Sequence, residues 1–566
     1  MYLQAGPSPL RLNCRATLIS RCAALFVIAL TAYVATDTSS LVTARAADST
    51  DAKLAELDER FAPKFSEIAA TCDELALADQ AAVTRSWLIR RDPGRQYLFV
   101  PADEDTLLPD ANDPQVVHKR QWYNKFREVR AERAQALWEI AREECKSGDA
   151  TRAYRFLCEV LRDDPDHADA RKILGYTRDR SGAWRRAGAP IRAKLVTVPE
   201  ERLGWAARKY WEIESPHYRI LTNDSPEAGV ELAGELETLV ELWRQVYTPY
   251  WITREELARR IDRPALPVAA KRKYKVALFR NRDEYIERLR TENPQVELSQ
   301  GMYFDGVQMA FFYSGDAQAR ATWYHEATHQ LFQEVEGVSS GVAERASAWI
   351  IEGVAQYMES LTPRDGYYTV GGIDARRVQY ARSWALGARY YMPLAELGAL
   401  GRPDLQQHDD VRRLYSQAAG LTHYLMDGED GKYRSALSNY LTLVYRARDR
   451  DDSLAALTGV SLADLDDGYR RWLDVTDAEL ESLQPSPLVR ELGLGNTSVT
   501  DAGMAHLAVL RDLEELDLSG TKVTDEGLSK LAPLVNLKVL NVGGTAVTPE
   551  GLARLKERIP ALGDSP

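Results

Sequence analysis

Histidine is scarce in this chain, eight in 566 residues, and cysteine is scarcer, at five. Cys14 and Cys22 fall in the N-terminal stretch, which leaves Cys72, Cys145 and Cys158 for the body of the protein. An odd number allows at most one internal bridge and a leftover thiol. None of the three has the Cys-x-x-Cys spacing of a structural zinc site, so burial as small residues is the plainer reading. Long basic runs are also missing. Lys+Arg number 72 against 84 Asp+Glu, a net charge of −12, with the cations scattered. That excludes nucleic acid and an anionic membrane surface as expected partners.

No membrane-length apolar run accompanies the N-terminal cations Arg11, Arg15 and Arg21. The run that follows them, Cys22 to Ala35, is too short to span a bilayer comfortably. A polar stretch then leads to Ala44-Arg45-Ala46, a small-residue cleavage site. The expectation is a signal peptide over 1–46, cleavage before Ala47, and an exported chain that leaves no segment in the membrane. An uncleaved anchor is the alternative. Cys22 has no small residues ahead of it, which argues against a lipid anchor.

What is present is globular: 45% apolar and 28% charged residues, over a length that holds about two to four domains. Two of the few histidines stand together in Trp323-Tyr324-His325-Glu326-Ala327-Thr328-His329-Gln330. Residues four apart on a helix share a face, so both imidazoles can reach one metal ion. Glu326, one step round, can deprotonate a water there. Zinc in a catalytic site takes three protein ligands. A candidate third is Glu352, in Trp349-Ile350-Ile351-Glu352-Gly353-Val354-Ala355, far enough on for a loop and a return helix. The competing reading is a surface helix with two solvated histidines. Apolar Ala327 and Leu331 beside the histidine face argue for a buried helix instead. Gln356 and Glu359 fall on the Glu352 face, and either can orient a ligand histidine through its second nitrogen.

The His-Glu-x-x-His pair followed by Trp-x-x-Glu-Gly-x-Ala resembles the gluzincins, the thermolysin and aminopeptidase N superfamily of zinc metallopeptidases. The resemblance covers roughly 215–475. More broadly, 130–475 resembles a little-characterised bacterial group of gluzincin-like proteins with a helical N-terminal segment. It implies His325, His329 and Glu352 as zinc ligands and Glu326 as general base. Tyr415-Ser416-Gln417-Ala418-Ala419-Gly420-Leu421 resembles the aminopeptidase N segment whose leading Tyr donates to the oxyanion. Thermolysin-type enzymes use a downstream His, a role open to His423. The Gly-Ala-Met-Glu-Asn block that grips a free amino group in aminopeptidase N has no match at Gly301-Met302-Tyr303-Phe304-Asp305. An endopeptidase or narrow processing enzyme therefore fits better than an aminopeptidase.

Along the chain, Leu54, Leu57, Phe61, Phe65 and Ile68 predict an amphipathic helix. Trp87-Leu88-Ile89 and Gln96–Val100 read as short extended pieces. Residues 121–184 read as helical, with a tetratricopeptide-like helix pair between Gly148 and Gly175. A strand at 218–222, a helix from 226, a strand at 275–279 and antiparallel strands at 301–304 and 308–313 follow. The resemblance makes 308–313 the edge strand on which substrate is laid. Beyond Glu352 the chain reads as helical to about 475.

Val489-x-x-Leu492-x-Leu494-x-x-Thr497 recurs at Leu513 and Leu537 with Thr521 and Thr545, each followed by Val-Thr and then Gly503, Gly527 or Gly551. This resembles leucine-rich repeats with Thr in the usual Asn position. The expected fold is multidomain α+β: a helical N-terminal region (47–186), a linker (187–212), a gluzincin-like domain of mixed sheet plus helical lobe (213–480), and a leucine-rich-repeat α/β solenoid (483–566). The expected function is a zinc-dependent peptidase acting on peptide or protein, with a protein partner for the repeats. The alternatives are a secreted scaffold with an inactive peptidase-like domain and a hydrolase of a non-protein amide.

Overall fold

A computed structural model of the chain describes residues 52–102, 106–186, 190–264, 272–294, 296–315, 319–335 and 337–563. The signal segment expected at 1–46 lies outside these residues. Among the described residues no helix is long and apolar enough to cross a membrane.

Aromatic and β-branched residues in Tyr218–Thr222, Tyr274–Phe279 and Met309–Tyr313 build the middle of a six-stranded mixed sheet. In spatial order the strands are Arg192–Leu195, Trp211–Glu214, Tyr218–Thr222, Tyr274–Phe279, Met309–Tyr313 and Met302–Phe304. The two central pairings are parallel and the others antiparallel. Helix Pro226–Val246 makes the first parallel crossover. Ser225 caps it by accepting from Ala228 N–H, and Pro226 sits in its first turn. Two expectations change here. Residues 187–212 are not a plain linker, because Arg192–Leu195 and Trp211 belong to the sheet. The edge strand beside the helix that carries His325 and His329 is Met302–Phe304, and Met309–Tyr313 lies one strand inward, buried along its whole length. Burial on both faces explains why that inner strand reads as continuous Met-Ala-Phe-Phe-Tyr with no alternation.

The N-terminal region is helical at 52–74 and over Val116–Ser147 and Ala150–Asp163. Gly148, at φ +115, ends the long helix, and Asp149 opens the next by accepting from Arg152 N–H. The helix after Pro165 runs only six residues, Ala168–Ile173, before Gly175 turns the chain at φ +90 into the hairpin Tyr176–Arg178/Trp184–Arg186. The helix pair that packs is therefore the 116–147 and 150–163 pair, not one confined to 148–175. Trp87-Leu88-Ile89 forms a bend in place of a strand. Trp87 Nε1 donates to Asp163 and its carbonyl accepts from Arg162, so side chains hold this segment without a ladder. Cys72, Cys145 and Cys158 are buried in this core.

Strand Arg95–Leu98 leaves the N-terminal core and pairs antiparallel with Tyr367–Gly371, which also pairs with Thr362–Arg364. Gln96 Nε2 donates to Tyr357 Oη at 2.5 Å and Asp427 Oδ1 at 2.9 Å, all three buried. A helical lobe of Ala348–Met358, Arg376–Arg382, Val411–Asp427, Arg434–Tyr445 and Leu462–Leu473 completes the central body.

At the C-terminus, Glu491–Gly493, Glu515–Asp517 and Val539–Asn541 pair parallel, each in register with the residue 24 further on. Thr497, Thr521 and Thr545 each donate to the carbonyl three residues back, at 2.6 Å. The period reaches further back than position 483. Val475-Thr476-Asp477 repeats as Val499-Thr500-Asp501 and Val523-Thr524-Asp525. Asp477 accepts from Thr500, Asp501 from Thr524 and Asp525 from Thr548, each through backbone N–H and hydroxyl. Val475, Leu480 and Leu483 share the core of the repeats. The array thus starts directly behind the last helix of the lobe.

Candidate metal centre

The metal helix, Ala319–Gln333, carries His325, Glu326 and His329, and the return helix, Ala348–Met358, carries Glu352. Ser347, at φ +62, sets the start of the return helix in a left-handed conformation. Its hydroxyl donates to Asp449 at 2.6 Å and accepts from Tyr440 at 2.8 Å, which holds the strained residue in place. Gly353, next to Glu352, is where Val411–Asp427 crosses closest. A Cβ there would lie 2.1 Å from Thr422 Oγ1 and 2.8 Å from the Ala418 carbonyl. The glycine of the Trp-x-x-Glu-Gly motif therefore lets two helices meet beside Glu352.

The donor atoms converge. His329 Nε2 is 3.1 Å from His325 Nε2. Glu352 Oε2 is 3.5 Å from His325 Nε2 and 3.8 Å from His329 Nε2. The three residues form a group that can hold a metal ion. His325 Nδ1 meets Glu359 Oε1 at 2.7 Å, which fixes its ring and leaves Nε2 turned inward. Arg377 holds Glu359 in turn, with Nε to Oε2 at 2.8 Å and Nη2 to Oε1 at 3.1 Å. Glu326 Oε2 accepts the N–H of Tyr303 on the edge strand at 2.8 Å.

The electrostatics fit a cation. Burial opposes a proton on His325, yet hydrogen bonds to Glu352 and Glu359 outweigh it and raise its pKa to about 10. Burial would raise Glu352, but the His325 hydrogen bond and the charges of His329, His325 and Arg402 hold it at about 2. Burial pushes Glu326 up and His329 down to about 4. Glu326, Glu352 and Glu359 crowd a space that favours positive charge between them. Two imidazole nitrogens and one carboxylate oxygen are a donor set that zinc accepts.

A cleft of about 450 Å³ opens beside this group, lined by Thr322, His325, Glu326, Glu359, Arg377 and Tyr380 among others. Tyr415, on helix Val411–Asp427, is half-buried. Burial first, then the charges of Glu352 and Glu326, hold its phenol protonated. His423 lies further along the helix, buried, with its ring edge-on to Tyr357 at 4.7 Å and its pKa lowered to about 3 by burial. Neither ring nitrogen of His423 has a hydrogen-bond partner among the described residues. Arg402, Tyr303 and Arg377 were not picked out by motif. Arg402 pairs with Asp305 at 3.4 Å and lies near enough for its charge to act on Glu352 and His329.

Fold and site together define a multidomain α+β protein with a His-His-Glu group fit for a metal. Residues 319–442 match a family described as a protein of unknown function (DUF1570), and residues 509–532 match a leucine-rich repeat. The first match spans the three donor residues, Glu326, Tyr415 and His423. No curated protein matches the chain.

Proposed function

We propose that this chain is an exported zinc-dependent peptidase of the gluzincin type, whose catalytic unit takes in the six-stranded sheet from Arg192 onward and ends before the repeat core begins at Val475. The convergence of His325, His329 and Glu352 beside a half-buried Glu326 that lines the cleft carries this reading. Bound zinc would supply Lewis acidity, polarising a carbonyl oxygen and making water easier to deprotonate. Glu326 takes the proton of the attacking water and passes it to the leaving amine. Its raised pKa suits a group that must both accept and return a proton. Met302–Phe304, the outermost strand, would take an extended peptide along its edge once Glu326 gives up the Tyr303 N–H it now holds. Tyr415 donates to the oxyanion as charge develops on the carbonyl oxygen. In this reading the C-terminal repeats form a short solenoid for a protein partner, and the N-terminal helices pack against the catalytic unit as a tetratricopeptide-like layer.

The test combines metal analysis with turnover of a peptide library. The wild-type chain is expected to hold one zinc and His329→Ala to lose it. Glu326→Gln is expected to keep zinc and fold while activity falls about 10²–10⁴-fold, the usual general-base contribution. Absence of stoichiometric metal, or full activity in Glu326→Gln, overturns the reading.

A further inference from the structure

Helix Arg376–Arg382 touches the metal centre at one end and the repeat array at the other. Toward the centre, Arg377 grips Glu359, and Glu359 grips His325 Nδ1. Toward the array, Gln379 Oε1 accepts the N–H of Gly493 at 2.6 Å, and its Nε2 donates to the Glu491 carbonyl at 3.1 Å. The same Nε2 donates to the Asp374 carbonyl at 2.8 Å. Arg382, 1% exposed, donates to the carbonyls of Gly493 at 2.8 Å, Leu473 at 3.0 Å and Ile373 at 3.2 Å. The first repeat strand, Glu491–Gly493, is thereby bonded to this helix through both of its terminal residues.

The sequence of the array agrees with that docking. Gly493 is in register with Asp517, and Asp517 with Asn541. The one repeat that meets the helix has glycine where the next two have longer polar side chains. A Cβ at Gly493 would stand in ordinary contact with Gln379 Oε1, at 3.5 Å, and an aspartate there would bring a carboxylate next to that amide oxygen, two acceptors side by side. The helix itself is seven residues long and runs into a π-turn at Ser383–Gly387. A helix that short has little stability of its own, and its placement comes from what it docks on.

We propose that the first repeat strand positions Arg377, and through Glu359 the ligand His325, so that the repeat array sets the metal affinity of a centre more than one element away. This rests on the reading that the triad holds zinc. Arg377 and Gln379 are positioning residues, neither a ligand nor a group that touches the reacting atoms. The orienting partners of metal ligands typically change affinity by about 10–100-fold, which is the range available to Arg377.

The experiment uses the full chain and titrates zinc against a competing chromophoric chelator, with circular dichroism and thermal melting to check the fold. Arg377→Ala is expected to weaken zinc binding by about 10–100-fold. Gln379→Ala and, from the other side of the contact, Gly493→Asp are each expected to weaken it by about fivefold or more, the lower end of coupling between linked sites. Gly493→Asp installs the residue the next repeat already carries, so the array keeps its own pattern. In the Arg377→Ala background, Gln379→Ala is expected to cost nothing further, because both act through one path. Wild-type zinc affinity in folded Gln379→Ala and Gly493→Asp, or losses that simply add in the double variant, overturns the proposal. A wild-type chain that binds no zinc removes the underlying reading instead, and the two failures are separate readouts of one titration.

Discussion

Tyr415 and His423 lie about two turns apart on one helix, and their surroundings divide the roles left open between them. Tyr415 is close enough to feel the charges of Glu352 and Glu326, whereas His423 lines the cleft beside His325 and Glu326 with its ring packed on Tyr357, and burial keeps it neutral with its pKa down near 3. Tyr415→Phe is therefore expected to spare zinc and lower turnover by roughly 10²–10³-fold, as for loss of one oxyanion donor. His423→Ala is expected to act on stability, with turnover of the folded fraction unchanged. Steady-state kinetics beside thermal melting reads both, and a reversed pattern moves the oxyanion role to His423. The four residues of the centre are legible in sequence because a helical spacing of four joins three of them and the Trp-x-x-Glu-Gly motif marks the fourth on the next helix. The same face of the return helix offers Gln356 and Glu359, and only the structure shows that Glu359 is the one that meets His325. Arg377, Arg402 and Tyr303 are not legible, since each reaches the site from a separate element with no period linking it to the motif.

Among the elements, the approach of the return helix to Val411–Asp427 is the tightest point near the ligands. Gly353→Ala drives a methyl toward Thr422 Oγ1 and the Ala418 carbonyl, and a backbone atom cannot step aside. The expected cost is about 1–3 kcal/mol in stability, from overpacking, together with weaker zinc binding through a displaced Glu352. Urea unfolding is the check, and an unchanged midpoint sinks the packing argument. Adding Thr422→Ala is expected to recover only part, because the carbonyl remains. The helices and central strands were readable from periodicity, but strand order was not. Met302–Phe304 looks no more like an edge than Met309–Tyr313 until pairing is known, and Arg192–Leu195, exposed at every residue, has too short an alternation (Arg-Ala-Lys-Leu) to stand out as a strand.

Across the whole molecule, buried polar groups join regions that look separate in sequence. Asp427 receives Gln96 from the N-terminal strand and Tyr357 from the return helix. Burial raises its pKa to about 6 despite Arg434, Gln96 and Tyr357, against about 3.9 for an unfolded aspartate. The folded state thus binds the proton more tightly. The stability this group contributes is full below about pH 4 and is lost as pH rises through about 6. Asp427→Asn is expected to flatten that fall, which urea midpoints taken from pH 4 to 7 in both proteins will show. Parallel pH profiles for the two count against the assignment. The repeat array was legible from its period of 24, but its start was not. Val475-Thr476-Asp477 sits against the end of Leu462–Leu473 and lacks the leucine strand that announces the later copies.

The pairing of Arg95–Leu98 with Tyr367–Gly371 has a consequence in time. Arg95 Nη1 donates to the Gly371 carbonyl across 276 residues of chain. A ribosome adding about 5–20 residues per second delivers the second strand roughly 14–55 s after the first. During that interval the N-terminal helices can close on their own core, while Arg95–Leu98 is already made with both edges open, where the finished sheet leaves it one. An unpaired edge is a template for any other strand. A nascent chain stalled before residue 371 is then the species most prone to aggregate, and release of that hazard waits on a hairpin that the ribosome reaches only after both helices of the His-His-Glu group are complete.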